Sequence, residues 1–86
     1  MKTVTLYTRR NCCLCHQARD VIEGVAETHP MELRIVDIDH DLPCNDPRRS
    51  RFAIDIPVVE VEGVVTFQHV VDPAALSRIL DEGQPA

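Results

Sequence analysis

The sequence has no tryptophan, one tyrosine and two phenylalanines. With so little aromatic bulk its core must be aliphatic, built mainly from eleven valines with the leucines and isoleucines. No run of about 18 apolar residues occurs, so no membrane-spanning helix is expected. The opening Met1-Lys2-Thr3-Val4-Thr5-Leu6-Tyr7 lacks the apolar stretch of a signal peptide. There is no basic stripe and the formal charge is −5, which makes the chain a poor nucleic-acid binder. These absences predict a soluble cytoplasmic protein with reduced thiols and no membrane partner. An ordinary apolar fraction of 44% excludes a disordered, collagen-like or coiled-coil composition. At 86 residues the chain buries only about 60% of its unfolded surface, enough for one small core and one domain over 1–86.

Cysteine is what the sequence does have. Four in so short a chain suggest a disulfide framework, but Cys12, Cys13 and Cys15 crowd into four positions. Cross-links stabilise by closing long loops, so cysteines this close cannot staple distant parts of a chain. The cluster points to chemistry.

Hydrophobic periodicity places that cluster. Val4, Leu6 and Thr8 alternate with Thr5 and Tyr7, a strand that ends at Arg9-Arg10-Asn11. Leu14, Ala18, Val21, Ile22 and Val25 then form the stripe of an amphipathic helix to about residue 27, with Asn11 as its expected N-cap. Thr28-His29-Pro30 stops it, and Leu33, Ile35 and Val36 make a second strand ending in Asp37-Ile38-Asp39. Residues 40–46 read as a loop, and Asp46-Pro47 starts a short helix to about Phe52. Two strands, 57–61 and 64–67, flank a Glu62-Gly63 hairpin turn, and Asp72-Pro73 starts a last helix carrying Ala75, Leu76, Ile79 and Leu80. Residues 83–86 read as a frayed tail. The βαβαββα order predicts a mixed four-stranded sheet, parallel through its crossovers and antiparallel at the hairpin, with helices on both faces.

Thiol exchange needs one ionised, accessible thiol and a second that releases the mixed disulfide. Cys12 and Cys15, two residues apart where strand gives way to helix, suit both roles. Unpaired N–H groups and the helix dipole favour a Cys12 thiolate, with an expected pKa in the range of roughly 3.5–7.5 for such sites. Arg9 and Arg10 add positive charge, and Cys15 lies beside the apolar stripe as the shielded thiol. Three other readings compete. The cysteines are small buried hydrophobes; or CxxCH at Cys12–His16 attaches a c-type haem, which would need export and an axial partner; or Cys12, Cys13, Cys15 and His16, with Cys44, bind a metal, though consecutive ligands cannot all face one ion and no second CxxC completes a tetrahedron.

The run Tyr7-Thr8-Arg9-Arg10-Asn11-Cys12-Cys13-Leu14-Cys15, with Ala18-Arg19 after it, resembles the glutaredoxin pattern of a strand, a basic residue and C-P-Y-C-x-x-A-K. Ile56-Pro57-Val58 and Glu62-Gly63 resemble its X-Pro step and hairpin turn, and the likeness runs in order along almost the whole chain. It is closest to small glutaredoxin-like domains with a C-x-L-C motif. The resemblance implies a thioredoxin-like α/β fold and a thiol-disulfide oxidoreductase with Cys12 as nucleophile and Cys15 as resolving thiol. It implies a redox-active Cys12–Cys15 disulfide, a cis Pro57 beside the Cys12 sulfur, and Ile56 pairing its backbone with an extended substrate. Arg9 matches the residue that holds a glutathione carboxylate. The expected protein is a monomer with no resident cofactor or metal, acting on protein or low-molecular-weight disulfides with glutathione as candidate reductant. Its potential is expected between about −270 and −200 mV.

Some positions depart from the pattern. Phe67-Gln68 stands where glutaredoxins carry a glycine pair, and Asp72 serves as N-cap or as the displaced acidic residue. Cys13 replaces the usual proline and Leu14 the usual tyrosine. Cys13 and Cys44 are expected to be idle, His16 to lie at the surface, and Arg48, Arg49 and Arg51 to form a solvated face. The alternative reading is a non-catalytic module of the same fold that binds a metal or a partner protein through the cluster.

Overall fold

Alternation along the first strand divides the protein into two cores. In a computed structural model that describes residues 1–82, β1 (Thr3–Thr8) sends Val4 and Leu6 to one face of a sheet and Tyr7 to the other. The remaining elements are α1 (Cys13–Ala26), β2 (Glu32–Asp37), α2 (Pro47–Phe52), β3 (Val58–Val61), β4 (Val64–Gln68) and α3 (Pro73–Asp81). Strand order is β2-β1-β3-β4, with β1 parallel to β2 and the β1–β3 and β3–β4 pairs antiparallel. This is the mixed sheet that the element order predicts. Residues 83–86, expected to fray, lie outside the described residues.

On the first face Val4, Leu6, Val59 and Val61 pack against Ala18, Ile22 and Val25 of α1 and Leu76 and Leu80 of α3. On the second, Tyr7 and Val58 pack against Phe52 of α2, with Ile38 and Leu42 from the connection after β2. Helices therefore cover both faces. No helix among the described residues is long and apolar enough to cross a membrane.

Helix starts follow cap chemistry, with one shift. Asp46 accepts from the Arg48 N–H, and Asp72 from those of Ala74 and Ala75 at 3.0 and 3.4 Å, each followed by proline in the first turn. At α1 the cap is Cys12 rather than the expected Asn11. A cap residue needs extended backbone, which Cys12 has (φ −101, ψ 103), whereas Asn11 turns the chain at φ 61. Asparagine is among the few side chains that tolerate that left-handed region. The end of α3 is met from the other terminus, where Lys2 Nζ donates to the carbonyls of Ile79 (2.7 Å) and Glu82 (2.6 Å).

The β3–β4 hairpin turns through Glu62 at φ 52 and Gly63 at φ 81, the two positive angles of a type I′ turn. Glutamate is a poor occupant of its first position. Glu62→Asn, which gives the favoured Asn-Gly pair, is expected to stabilise the fold by about 0.5 kcal/mol. A urea midpoint at or below that of the parent would refute this. Past the turn, Val59 pairs with Phe67 but Glu60 with Val65, leaving Thr66 as an extra residue in β4. Such a bulge sharpens the local twist of the strand.

Candidate redox site

The end of β1 delivers the chain into α1 through Arg9, Arg10 and Asn11. The turn at Asn11 places Cys12 at the helix head, where its sulfur accepts the Cys15 N–H at 3.2 Å. Cys15, the third residue of α1, is buried on the side of the core. Cys12 and Cys15 are joined by a disulfide with Cα atoms 5.2 Å apart, within the ordinary range for such bridges. The two halves differ in access. Cys12 is half-buried, while Cys15 is 3% exposed. Cys13 and Cys44 are exposed free thiols, and His16 is exposed. Among the described residues no three His, Cys, Asp or Glu side chains are grouped to hold a metal ion.

The segment before β3 carries a cis Ile56–Pro57 bond, the isomer that the resemblance implies. Pro57 is fully buried and its carbonyl accepts the His69 N–H at 2.9 Å. The Ile56 N–H is already used, donating to the Phe52 carbonyl at 3.0 Å. Of the two Ile56 backbone groups, the N–H is thus occupied and the carbonyl has no backbone partner outside the regular elements among the described residues.

Arg9 is also engaged. Its Nε and Nη2 donate to the two carboxylate oxygens of Asp39, at 2.8 and 3.0 Å. This forked geometry is the strong form of an arginine–carboxylate pair. The Arg9 hydrogen bonds hold Asp39 below the usual carboxylate range, and Asp39 raises the arginine in turn. The pairing joins residues 30 positions apart, so nothing in the local pattern of Asp37-Ile38-Asp39 marks it.

Two depressions flank the head of α1. The larger, of about 330 Å³, lies between α1 and β2 and is walled by Cys15, His16 and Arg19 on one side, Ile35 on the other, and Arg9 and Arg10 at the end of β1. The smaller, of about 70 Å³, lies between α1 and the β4–α3 connection, with Leu14, Ala18, Val21 and Val70 among its walls. Just before that connection Phe67 packs against the core and Gln68 ends β4. The positive φ that favours glycine falls on His69 (φ 68), where Val70 N–H closes a tight turn on the Gln68 carbonyl at 2.7 Å. Asp72 caps α3.

The three arginines of α2 do not form one solvated face. Arg48 Nε and Nη2 fork onto Asp46, with Nη2 to Oδ2 at 2.7 Å, and its Nη1 donates to the Tyr7 hydroxyl at 3.2 Å. Tyr7 donates to Glu60 Oε1 at 2.7 Å and lies 4.8 Å from the Phe52 ring. Arg51 lies over the Phe52 ring, and Arg49 reaches the Asp39 carbonyl at 3.4 Å. The buried aromatic pair thus holds the guanidinium groups of Arg48 and Arg51, which periodicity alone cannot show.

Burial, and then the Glu60 hydrogen bond, push the Tyr7 phenol above its ordinary value of 10.0. Since the folded chain holds this proton more tightly than the unfolded one, the linked stability is complete below pH 10 and is lost as pH climbs through the raised value. As the only tyrosine, in a chain without tryptophan, Tyr7 can be followed directly at the phenolate absorbance. Its midpoint is expected above pH 10 and lower in Glu60→Gln; a midpoint at 10 in the folded protein would contradict the network.

Comparison with known proteins bears on the same segment. The family described as "Glutaredoxin-like domain (DUF836)" matches residues 3–81, from β1 through the end of α3. The chain belongs to this glutaredoxin-like family. A glutaredoxin-like protein of Dictyostelium discoideum is 31% identical over 71 residues, covering 80% of this chain and 66% of that relative. The chain thus spans just under two thirds of the relative's length. Among solved structures, a structural-genomics target from X. campestris superposes with a TM-score of 0.71 at 23% identity, covering 94% of this chain and 99% of its own. Oxidized thioredoxin O2 from Arabidopsis thaliana gives a TM-score of 0.64 at 21% identity over 96% of this chain and 75% of its own. These likenesses establish a thioredoxin-like fold. In this glutaredoxin-like chain the cysteine pair stands at the head of α1, and the neighbouring Arg9 is bound to Asp39.

Proposed function

We propose that this chain is a thiol-disulfide oxidoreductase acting on protein or low-molecular-weight disulfides in a reducing compartment. The observation that carries this reading is the disulfide between a half-buried Cys12 and a buried Cys15 at a helix N-terminus. In the reduced protein the Cys12 thiolate attacks a substrate disulfide, one substrate sulfur leaves as thiolate, and a mixed disulfide forms on Cys12. Cys15 then attacks the Cys12 sulfur, releases the second substrate thiol, and leaves the Cys12–Cys15 disulfide. The Cys15 N–H and the N-terminal end of the helix dipole supply the stabilisation that a Cys12 thiolate requires. Thiols reduce the disulfide again, and glutathione is the candidate reductant. The cis Ile56–Pro57 segment offers the Ile56 carbonyl to an extended substrate.

The test is trapping. Reduced Cys15→Ser protein is expected to accumulate a mixed disulfide on Cys12 when offered a disulfide substrate, and Cys12 is expected to titrate below about 8.5. No trapped adduct, together with a Cys12 that titrates at the unperturbed value, would refute the exchange reading. Mass spectrometry of the trapped species identifies the substrate in the same experiment.

A further inference from the structure

Tyr7 lies where the two halves of the site are tied together. It stands on β1, the strand that runs on to Cys12, and its buried ring lies 4.8 Å from that of Phe52 at the end of α2. Its hydroxyl accepts from Arg48 Nη1 at 3.2 Å, and the Arg48 guanidinium also lies over the ring, 5.9 Å from its centre. Glu60 Oε1 takes the hydroxyl proton at 2.7 Å, which leaves the oxygen lone pairs for Arg48. Arg48 is the second residue of α2 and Phe52 the last, so the helix is fixed to β1 at both ends. A helix of six residues has no stability of its own, and Phe52 is the one buried residue of α2, so these contacts set where the helix lies. The segment before β3 hangs from it. The Phe52 carbonyl accepts the N–H groups of Asp55 and Ile56, each at 3.0 Å, and the Pro57 carbonyl accepts the His69 N–H at 2.9 Å. The turn thus has one anchor on α2 and one on the β4–α3 connection, and the place of Ile56 follows that of α2.

We propose that the Tyr7–Arg48 hydrogen bond positions Ile56–Pro57 relative to Cys12, so that the protein favours disulfides within an extended peptide over small ones. The inference rests on the exchange reading and specifies how the substrate is selected. Tyr7 and Arg48 are positioning residues, and neither is among the residues that wall the two depressions beside the cysteines. A peptide gains a backbone hydrogen bond from the Ile56 carbonyl only if that carbonyl stands at the right distance from the Cys12 sulfur, and a displacement of about 1 Å costs up to about a hundredfold. A small disulfide has no backbone to pair and is indifferent to the displacement.

Two neutral probes with the same reacting group separate these effects. One is a decapeptide whose single cysteine is joined in a disulfide to 2-mercaptoethanol; the other is bis(2-hydroxyethyl) disulfide. Each oxidises the reduced full chain to the Cys12–Cys15 disulfide and is itself reduced to thiols, and the rate is read by quenched alkylation. In Arg48→Met, whose side chain is 43% exposed in the parent, the peptide concentration that half-saturates the rate is expected to rise about tenfold. The limiting rate, and the rate with the small disulfide, should stay within about twofold of the parent. Tyr7→Phe, which keeps the ring against Phe52, should do the same, and the double variant should be no worse than either single because both remove one shared bond. Equal losses of Arg48→Met with the two probes would overturn the positioning role. An unchanged half-saturation for the peptide, or effects that multiply in the double variant, would do so too. A reduced parent that neither probe oxidises would overturn the exchange reading, and the proposal with it.

Discussion

Cys12→Ser is expected to lower thiol-disulfide exchange by at least about a thousandfold while leaving the fold intact. On the proposed mechanism the attacking atom is the Cys12 sulfur. A serine hydroxyl stays protonated near neutral pH and forms no disulfide, so neither attack nor the mixed disulfide remains. The structural cost is small for a specific reason. Cys12 is the N-cap of α1 and its side chain accepts the Cys15 N–H, a task that serine performs at least as well. Loss of activity with an unchanged urea midpoint therefore separates chemistry from stability, using the reduced parent as reference. A Cys12→Ser protein that keeps a tenth or more of the parent's rate would move the nucleophile elsewhere, and exposed Cys13 would be the first residue to examine.

The second large effect is on stability. Ile22→Ala is expected to cost about 2–5 kcal/mol, the usual range for emptying a fully packed aliphatic site. Ile22 has no exposed surface and sits in the cluster formed by α1, α3 and the inner faces of β1 and β3. The core has no tryptophan to redistribute the packing, and its valines are stiff at χ1, so collapse into the void is limited. Against a total stability of about 4–13 kcal/mol for a chain of this size, such a loss unfolds a measurable fraction of the protein. Val21→Ala, one residue away but only partly buried, should cost clearly less. Equal urea midpoints for the two variants would mean that the α1 stripe is not the face that packs.

Periodicity made the elements legible because a period of two or 3.6 is written in adjacent residues. Val4 and Leu6, and then Ala18, Ile22 and Val25, fall on the face that the structure buries. Aspartate-proline pairs marked α2 and α3 for the same local reason. The CxxC pair was equally readable, since its meaning depends on three residues of spacing and a helix start. What stayed hidden joins distant segments. Asp39 on Arg9, Arg48 on Tyr7, and the cavity between α1 and β2 depend on the packing of several elements, and no local pattern marks them. The Asn11-to-Cys12 shift in the cap is a smaller case. Both residue types can accept a backbone N–H, and only the backbone angles decide between them.

Lys2 and the end of α3 carry a consequence for how the chain is made. Lys2 leaves the ribosome before the rest of this fold, yet its ammonium is held by carbonyls 77 and 80 positions later. Between them β1 pairs on one side with β2 and on the other with β3, so the first strand of this sheet is completed only by strands that follow it. Contacts of such long sequence separation are slow to form, because the loop entropy is lost before the pairing compensates it. During synthesis β1 must therefore wait with its valine and leucine exposed. Its two edges are occupied only after β3 has emerged, and the sheet closes over a finished core only when α3 arrives.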